Sequence, residues 1–389
     1  MRFMKASQQA IRSVIRPDGS RRDLVTRRNV LFGLGGAACA ASALAAGAVG
    51  FGLPLLSAPV TTSAQELSYF RVGAGQPGTP IAELAGLIGG AISNPPGART
   101  CEEGGSCGVP GMIGLAQTSS GSVENLSQLR GKMIESAVAQ ADIAYLAYTG
   151  KDVFKAVGKD PDLRAICGLG RLSVKVIVGP QSAAKNVAGL KGLRVNLGAE
   201  KSDNMVTARQ ILNFHGLTTK RIKPSYLDFP AAAEALAAGK IDAMIVVDAV
   251  DSRDVTNLAA SMPLRLLPIE GEPVSKMMKS YGFVAAGIVK AGTFRNIPDT
   301  PTVELVAVWL APASLDADMA YQLTRAVWLE ASRKNLDQVT AAGKALDLQL
   351  AIAGVSVPFH PGALKYYDEH GVTRFLPANL RTDPAVKTN

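Results

Sequence analysis

The chain has 389 residues, 47% of them hydrophobic and 19% charged, with 39 Gly, four Cys and a formal net charge of +9. Eight Arg or Lys against Asp18 and Asp23 place +6 of that charge in residues 1–28, leaving a scattered +3. No basic stripe interleaved with aromatics tracks a phosphate backbone, which excludes nucleic acid as the expected partner, and the remaining length suffices for two ordinary domains with a buried core.

The leader reaches paired arginines in Thr26-Arg27-Arg28-Asn29-Val30-Leu31-Phe32, and no charged residue follows until Glu66. A cationic segment, an apolar segment and a small-residue exit at Thr62-Ser63-Ala64 predict an export signal over residues 1–64 of the twin-arginine type, cut near Ala64. Two alternatives stay open. The apolar run from Val30 to Ala64 could remain as a single anchor, since about 20 apolar residues span a bilayer. Cys39, after Gly36-Ala37-Ala38, could instead carry a lipid. The expected location is the periplasm, and no later stretch could span a membrane.

From Glu66 onward, short apolar runs alternate with helical patterns, which predicts an α/β fold with largely parallel sheets. Tyr69-Phe70-Arg71-Val72 predicts a strand, followed by a Gly73–Gly78 turn and a helix carrying Ile81, Leu84, Ala85, Leu87 and Ile88. Cys101 and Cys107 flank a glycine-containing loop that predicts a local disulfide in an oxidising compartment. Its stabilisation would be roughly 2 kcal/mol in the chain-entropy model. A metal site would want two further ligands nearby, and three His with no second Cys pair do not supply them, so neither metal nor cofactor is expected.

Farther along, Met112–Ala116 predicts a strand and Val123, Leu126 and Leu129 a helix. Cys167 fits a small buried hydrophobe. Val174–Val178 predicts a strand, 203–215 and 230–238 helices, and Ala243–Val247 a strand. The run Val303–Leu310, a long helix from about Asp318 and a polar tail close the chain. Trp309, Trp328 and Tyr321 are expected in the core.

Candidate chemistry gathers at strand-to-helix turns. Thr79, the run Thr118-Ser119-Ser120-Gly121-Ser122, and Ser202-Asp203-Asn204 place hydroxyl or amide groups at predicted helix starts. Free N–H groups there attract anions, so three such turns facing one cleft could hold a carboxylate without arginine. Each could equally be an N-cap. Gln140 and Asp142, after a predicted strand, are further candidates, Asp142 also as a cap. Asn125 could be a binding residue or a surface helix residue, and Tyr281 could close over a ligand. Lys201 points into solvent or meets an anion, and His360 fits a turn.

Leu190-Lys191-Gly192-Leu193-Arg194-Val195 and the segment from Phe229 to Asp242 resemble the two-lobed periplasmic binding proteins of type II. More specifically, the chain resembles the TAXI family of solute receptors serving TRAP transporters. The motifs include Gly78-Thr79, Cys107-Gly108-Val109-Pro110-Gly111, Gly121-Ser122-Val123-Glu124-Asn125-Leu126, Ala141-Asp142-Ile143-Ala144-Tyr145, Ala147-Tyr148-Thr149-Gly150 and His360-Pro361-Gly362-Ala363. Together they cover nearly all of residues 66–372. The chain departs from the family pattern at Pro80-Ile81, Lys201-Ser202-Asp203-Asn204 and Asp248-Ala249-Val250.

The resemblance implies two α/β lobes with a ligand cleft between them, lobe I from 65–170 and 290–389 and lobe II from 171–289. Crossing strands near Val174 and at Phe283–Ile288 would bend as the lobes close. It implies a non-enzymatic receptor for a small organic solute, a carboxylate or amino acid, delivered to a TRAP-type membrane permease, and it supports Thr79, Ser122 and Asn125 as ligand residues. A receptor feeding a sensor protein would share these lobes. An exported NAD(P)-dependent oxidoreductase is the rival, because Gly73-Ala74-Gly75-Gln76-Pro77-Gly78 matches Gly-x-Gly-x-x-Gly between a strand and a helix. Against it, Asn94-Pro95-Pro96-Gly97 stands where the ribose-binding acid should follow.

Overall fold

The computed structural model describes residues 67–339 and 346–381; the leader, with its paired arginines, Cys39 and exit site, lies outside them. Among the described residues no helix is long and apolar enough to cross a membrane. They form a β-α-β-α-β unit twice, joined through long strands.

Unit one runs β1 (Ser68–Gly73), α1 (Pro80–Ile92), β2 (Met112–Gln117), α2 (Ser122–Arg130) and β3 (Ser136–Gln140). Its strands are parallel, with β1 between β2 and β3. α1 begins where Thr79 caps Ala82 N–H and Pro80 pre-sets the first turn. The Ile81, Leu84, Ala85, Ile88 and Ile92 side chains then recur at helical spacing and are buried. All of β3 is buried, which is why it lacks polar alternation. The predicted Cys101–Cys107 disulfide is present in the loop before β2, with Cα atoms 4.6 Å apart.

After α3 (Ala141–Thr149), the sixteen-residue β4 (Leu163–Val178) leads into unit two. This unit is β5 (Arg194–Asn196), α4 (Asp203–Phe214), β6 (Lys223–Ser225), α5 (Phe229–Ala237) and β7 (Ala243–Ala249). Its strands repeat the parallel arrangement, with β5 between β6 and β7. The repetition reaches side chains. Arg71 at β1 gives its backbone N–H and two guanidinium N–H bonds to Glu135, just before β3. Arg194 at β5 does the same to Asp242, just before β7.

There follow α6 (Arg253–Ser261), β8 (Arg265–Leu267), α7 (Glu272–Ser280), β9 (Ala285–Val289), β10 (Thr300–Pro312) and α8 (Ala317–Trp328). The last described helices are Glu330–Val339 and Pro361–Glu369, the latter packed on α8. The ten-stranded sheet has the main order β2-β1-β3-β10-β4-β7-β5-β6, with β8 on β4 and β9 on β10. The architecture is α/β in two parts, as expected, but the sheet is mixed where largely parallel pairing was expected. Parallel pairs lie within the units, whereas β4 and β10 pair antiparallel to each other and to their other neighbours.

Both long strands change partner midway. β4 pairs with β10 over Leu163–Ser173 and with β7 from Leu172 to Val178. β10 pairs with β9 over Thr300–Glu304 and with β3 over Ala307–Leu310. Val174 therefore lies in a connecting strand, as expected. The second connection is β10, while Phe283–Ile288 contributes to the short β9, which pairs only with β10 in this sheet. The difference is physical: β10 is buried along nearly its whole length and can run through the core, whereas β9 is mostly exposed.

Cys167, Trp309 and Trp328 are buried as expected. Tyr321 is not a core residue: it is half-buried, with its hydroxyl donating to exposed Glu369, an arrangement that keeps the polar tip near water. His360 caps the helix Pro361–Glu369, accepting from Gly362 N–H.

Candidate ligand site

In open parallel sheets, ligands bind beyond the carboxyl ends of the strands, where helix starts converge. Here a cavity of about 440 Å³ lies between the two units. The turn Gly75–Gly78, the α1 start and Ser120-Gly121 border it from unit one. Unit two contributes Ala199, Ser202, Asp203, Asn204, the Leu227–Pro230 turn and the end of β7. Of the residues singled out in the sequence as candidate ligand contacts, Thr79, Ser120, Gly121, Gln140, Ser202, Asp203 and Asn204 line this cavity; Ser122, Asn125, Asp142 and Tyr281 do not.

Thr79 and Ser202 both cap helices facing the cavity. Thr79 Oγ1 donates to Gln76 O at 2.7 Å and accepts from Ala82 N–H at 3.4 Å. Ser202 Oγ donates to Ala199 O at 2.6 Å and accepts from Met205 N–H at 3.2 Å. Asp228, missed in the sequence, caps α5 by accepting from Ala231 N–H at 3.0 Å and also lines the cavity. Its position just before Phe229-Pro230 was the available signal.

The two asparagines tie strands together. Asn125 Nδ2 donates to the carbonyls of Ala74 and Val138, while its Oδ1 accepts from Ser119 at 2.6 Å. Asn204 Nδ2 donates to Leu197 O and Ile245 O at 2.7 and 2.8 Å, and its Oδ1 accepts from Val247 N–H at 2.6 Å. Asn125 is fully buried, and the expected exposed-helix alternative does not hold. Both amides satisfy backbone groups just past the point where the parallel pairing of β1 with β3, and of β5 with β7, stops.

Ser122 meets Asp203 from the other unit. Its N–H lies 3.1 Å from both carboxylate oxygens, its hydroxyl donates to Oδ2 at 2.5 Å, and Oγ also accepts from Gln140 N–H at 3.0 Å. One turn later in α4, Thr207 donates to Asp142 Oδ2 at 2.6 Å and lies 3.2 Å from Gln140 Oε1. Gln210 reaches Asp142 at 3.4 Å, and Arg209 pairs with Asp152 at 2.6 Å. Burial pushes Asp142 up to about 7, with Thr207 opposing and the Asp203 charge adding to the rise. Burial likewise raises Asp203, against the bonds from Ser122.

Tyr281 lies beyond the other end of α4. Its ring packs on Phe283, Tyr145 and Phe214 with centroids 5.3, 5.5 and 5.8 Å away. It belongs to an aromatic cluster between α3 and α4 and does not cover the cavity.

Among the described residues, the charged side chains lining the cavity are Asp203, Asp228, Asp248 and Asp254, with no Lys or Arg. Asp248 is held by Ser252 and Ala249 N–H. Beneath that loop, buried Lys175 donates to Ser173 Oγ and to the carbonyls of Asp248 and Ala249. Burial lowers Lys175 to about 8, against the pull of Asp248, Asp251 and Glu304. A second cavity of about 720 Å³ shares Gly78, Pro80, Asp248 and Asp254 with the first and adds Arg171 and Arg253.

Residues 109–371 match the NMT1-like family, and the chain belongs to that family. Among solved structures it is similar to the periplasmic aliphatic sulphonate binding protein SsuA from Escherichia coli, at 16% identity and a TM-score of 0.38 over 77% of this chain and 78% of that one. It is also similar to the alkanesulfonate-binding protein SsuA from Xanthomonas axonopodis pv. citri bound to MOPS, at 18% and 0.41 over 81% and 96%. A TctC solute binding protein from Polaromonas gives 14% and 0.42 over 71% and 89%.

Proposed function

We propose that this member of the NMT1-like family is a non-catalytic periplasmic solute receptor of the TAXI type, exported by its leader, which hands a small organic solute to a TRAP-type permease. The observation carrying this reading is the cavity between the units, bordered by the starts of α1, α2, α4 and α5 at the carboxyl ends of parallel strands. Its two units correspond to lobes that close over the solute, with β4 and β10 as the flexing connections.

The lining favours an amino acid over a plain carboxylate. Helix-start N–H groups of α1 and α4 suit a carboxylate, and Asp228, Asp248 and Asp254 suit an ammonium group at the same cavity. The dinucleotide reading of Gly73, Gly75 and Gly78 loses support because β2, the strand after α1, ends in Gln117-Thr118, with no acid for a ribose.

Thermal unfolding of the chain, stripped of bound solute by unfolding and refolding, tests this reading against amino acids, dicarboxylates, sugars and NAD(P). A bound amino acid at 100 times its Kd should stabilise by about 2.7 kcal/mol, and Asp254→Asn should reduce that gain. Stabilisation by NAD(P) alone would overturn the receptor reading, and stabilisation by dicarboxylates alone would overturn the amino-acid assignment.

A further inference from the structure

We propose that Asp203 is the resident occupant of the α2 N-terminus and latches the two units together before any solute binds. The inference rests on the reading that the units close on a solute, but its test uses no solute, so the two can fail separately.

The starts of α1, α4 and α5 each carry their own side-chain cap, from Thr79, Ser202 and Asp228. α2 does not: its N-cap is Gly121, with no side-chain hydrogen bond of its own. The missing acceptor comes from the other unit, where the Asp203 carboxylate takes both the N–H and the hydroxyl of Ser122. Asp203 is 7% exposed and Ser122 is fully buried, so the pair is shielded from water. A carboxylate at a helix start is where the macrodipole favours negative charge.

Gly121 makes the approach possible. Its φ is +132°, and a Cβ built there would strike Asp203 Oδ1. The residue that deprives α2 of a cap thus opens the space for the borrowed one. Asp203 also heads a row on α4, with Thr207 and Gln210 meeting Asp142 at helical spacing. Separating the units exposes this row and leaves the first turn of α2 without its acceptor. While the latch is made, a solute carboxylate is directed to the other helix starts.

Hydrogen exchange on the full chain without solute tests the latch, read on peptides covering residues 119–126 and on β10. Asp203→Ala should speed exchange at the α2 start about tenfold or more while β10 stays protected, and should enlarge the radius measured by small-angle scattering. Excess acetate, but not acetamide, should restore protection by refilling the vacated position. Unchanged exchange at the α2 start would overturn the proposal, as would equal rescue by acetamide or none by acetate. If Asp203→Ala also loses protection in β10, Asp203→Asn is read instead: it retains an acceptor and should show a smaller local rise, and its matching wild-type exchange would overturn the latch.

Discussion

Unit one and unit two place their first strand between the second and third, and both clamp an arginine at that strand to an acid just before the third. They part at the second helix. α5 begins on its own cap, Asp228, whereas α2 begins on Gly121 and takes its acceptor from Asp203 in the other unit. A helix that caps itself keeps that contribution whatever its neighbours do. One that borrows its cap transfers part of its stability to the relative position of the units, making unit one sensitive to that position in a way unit two is not.

The largest effect that would sharpen this contrast is expected at the α3–α4 seam. Asp142 faces Thr207, Gln210, Gln140 and the Asp203 charge, and its carboxyl is pushed up to about 7 from an ordinary value of 3.8. The folded chain thus holds a proton between those values that the unfolded chain has released. Stability should fall as pH rises through that window, with the penalty fully present above it. Asp142→Asn keeps an acceptor for Thr207 and removes the charge. It should stabilise the protein at pH 8 by an amount on the order of a few kcal/mol, with the gain vanishing near pH 4. Urea unfolding at both pH values measures it, and a pH-independent gain would count against the mechanism.

A smaller effect should break the symmetry directly. Asp228→Ala removes a cap that α5 owns and should cost about 1 kcal/mol with increased exchange confined to the α5 start. The α2 start should remain protected; if both helix starts open together, the distinction between an owned and a borrowed cap fails.

The smallest effect is expected at the repeated clamps. Arg71→Met and Arg194→Met should lower Tm slightly and by similar amounts, with the difference from wild type shrinking at high salt because these ion pairs are partly exposed. A large loss at one clamp alone would show that the units are not equivalent at their bases.

Much of this architecture is legible in the sequence because it is local. Thr79-Pro80 followed by Ile81, Leu84 and Ile88 specifies the α1 start and its buried face, and Cys101–Cys107 closes a loop within one stretch of chain. Only the end of β4, Val174–Val178, is legible as a strand, because Gly168 and Gly170 interrupt the apolar pattern before it, although the backbone passes through as one strand. What could not be read is pairing at a distance. Nothing in local spacing joins Ser122 to Asp203, 81 residues later, or indicates that Asn125 and Asn204 face inward to collect carbonyls. The repeated clamp had a faint signal, a basic residue at the first strand and an acid before the third, but only the shared strand order makes it meaningful.

The exchange of partners by β4 and β10 also dictates an order of events during synthesis. β3 lies between β1 and β10, and β10 begins only at Thr300, after the whole of unit two has been made. Arg171 and Glu304, paired across the long strands, are 133 residues apart in the chain. Unit one therefore emerges from the ribosome with the β3 edge that β10 will cover still open, and must wait for that distant strand, the kind of non-local closure that slows folding and leaves an unpaired edge exposed to other chains.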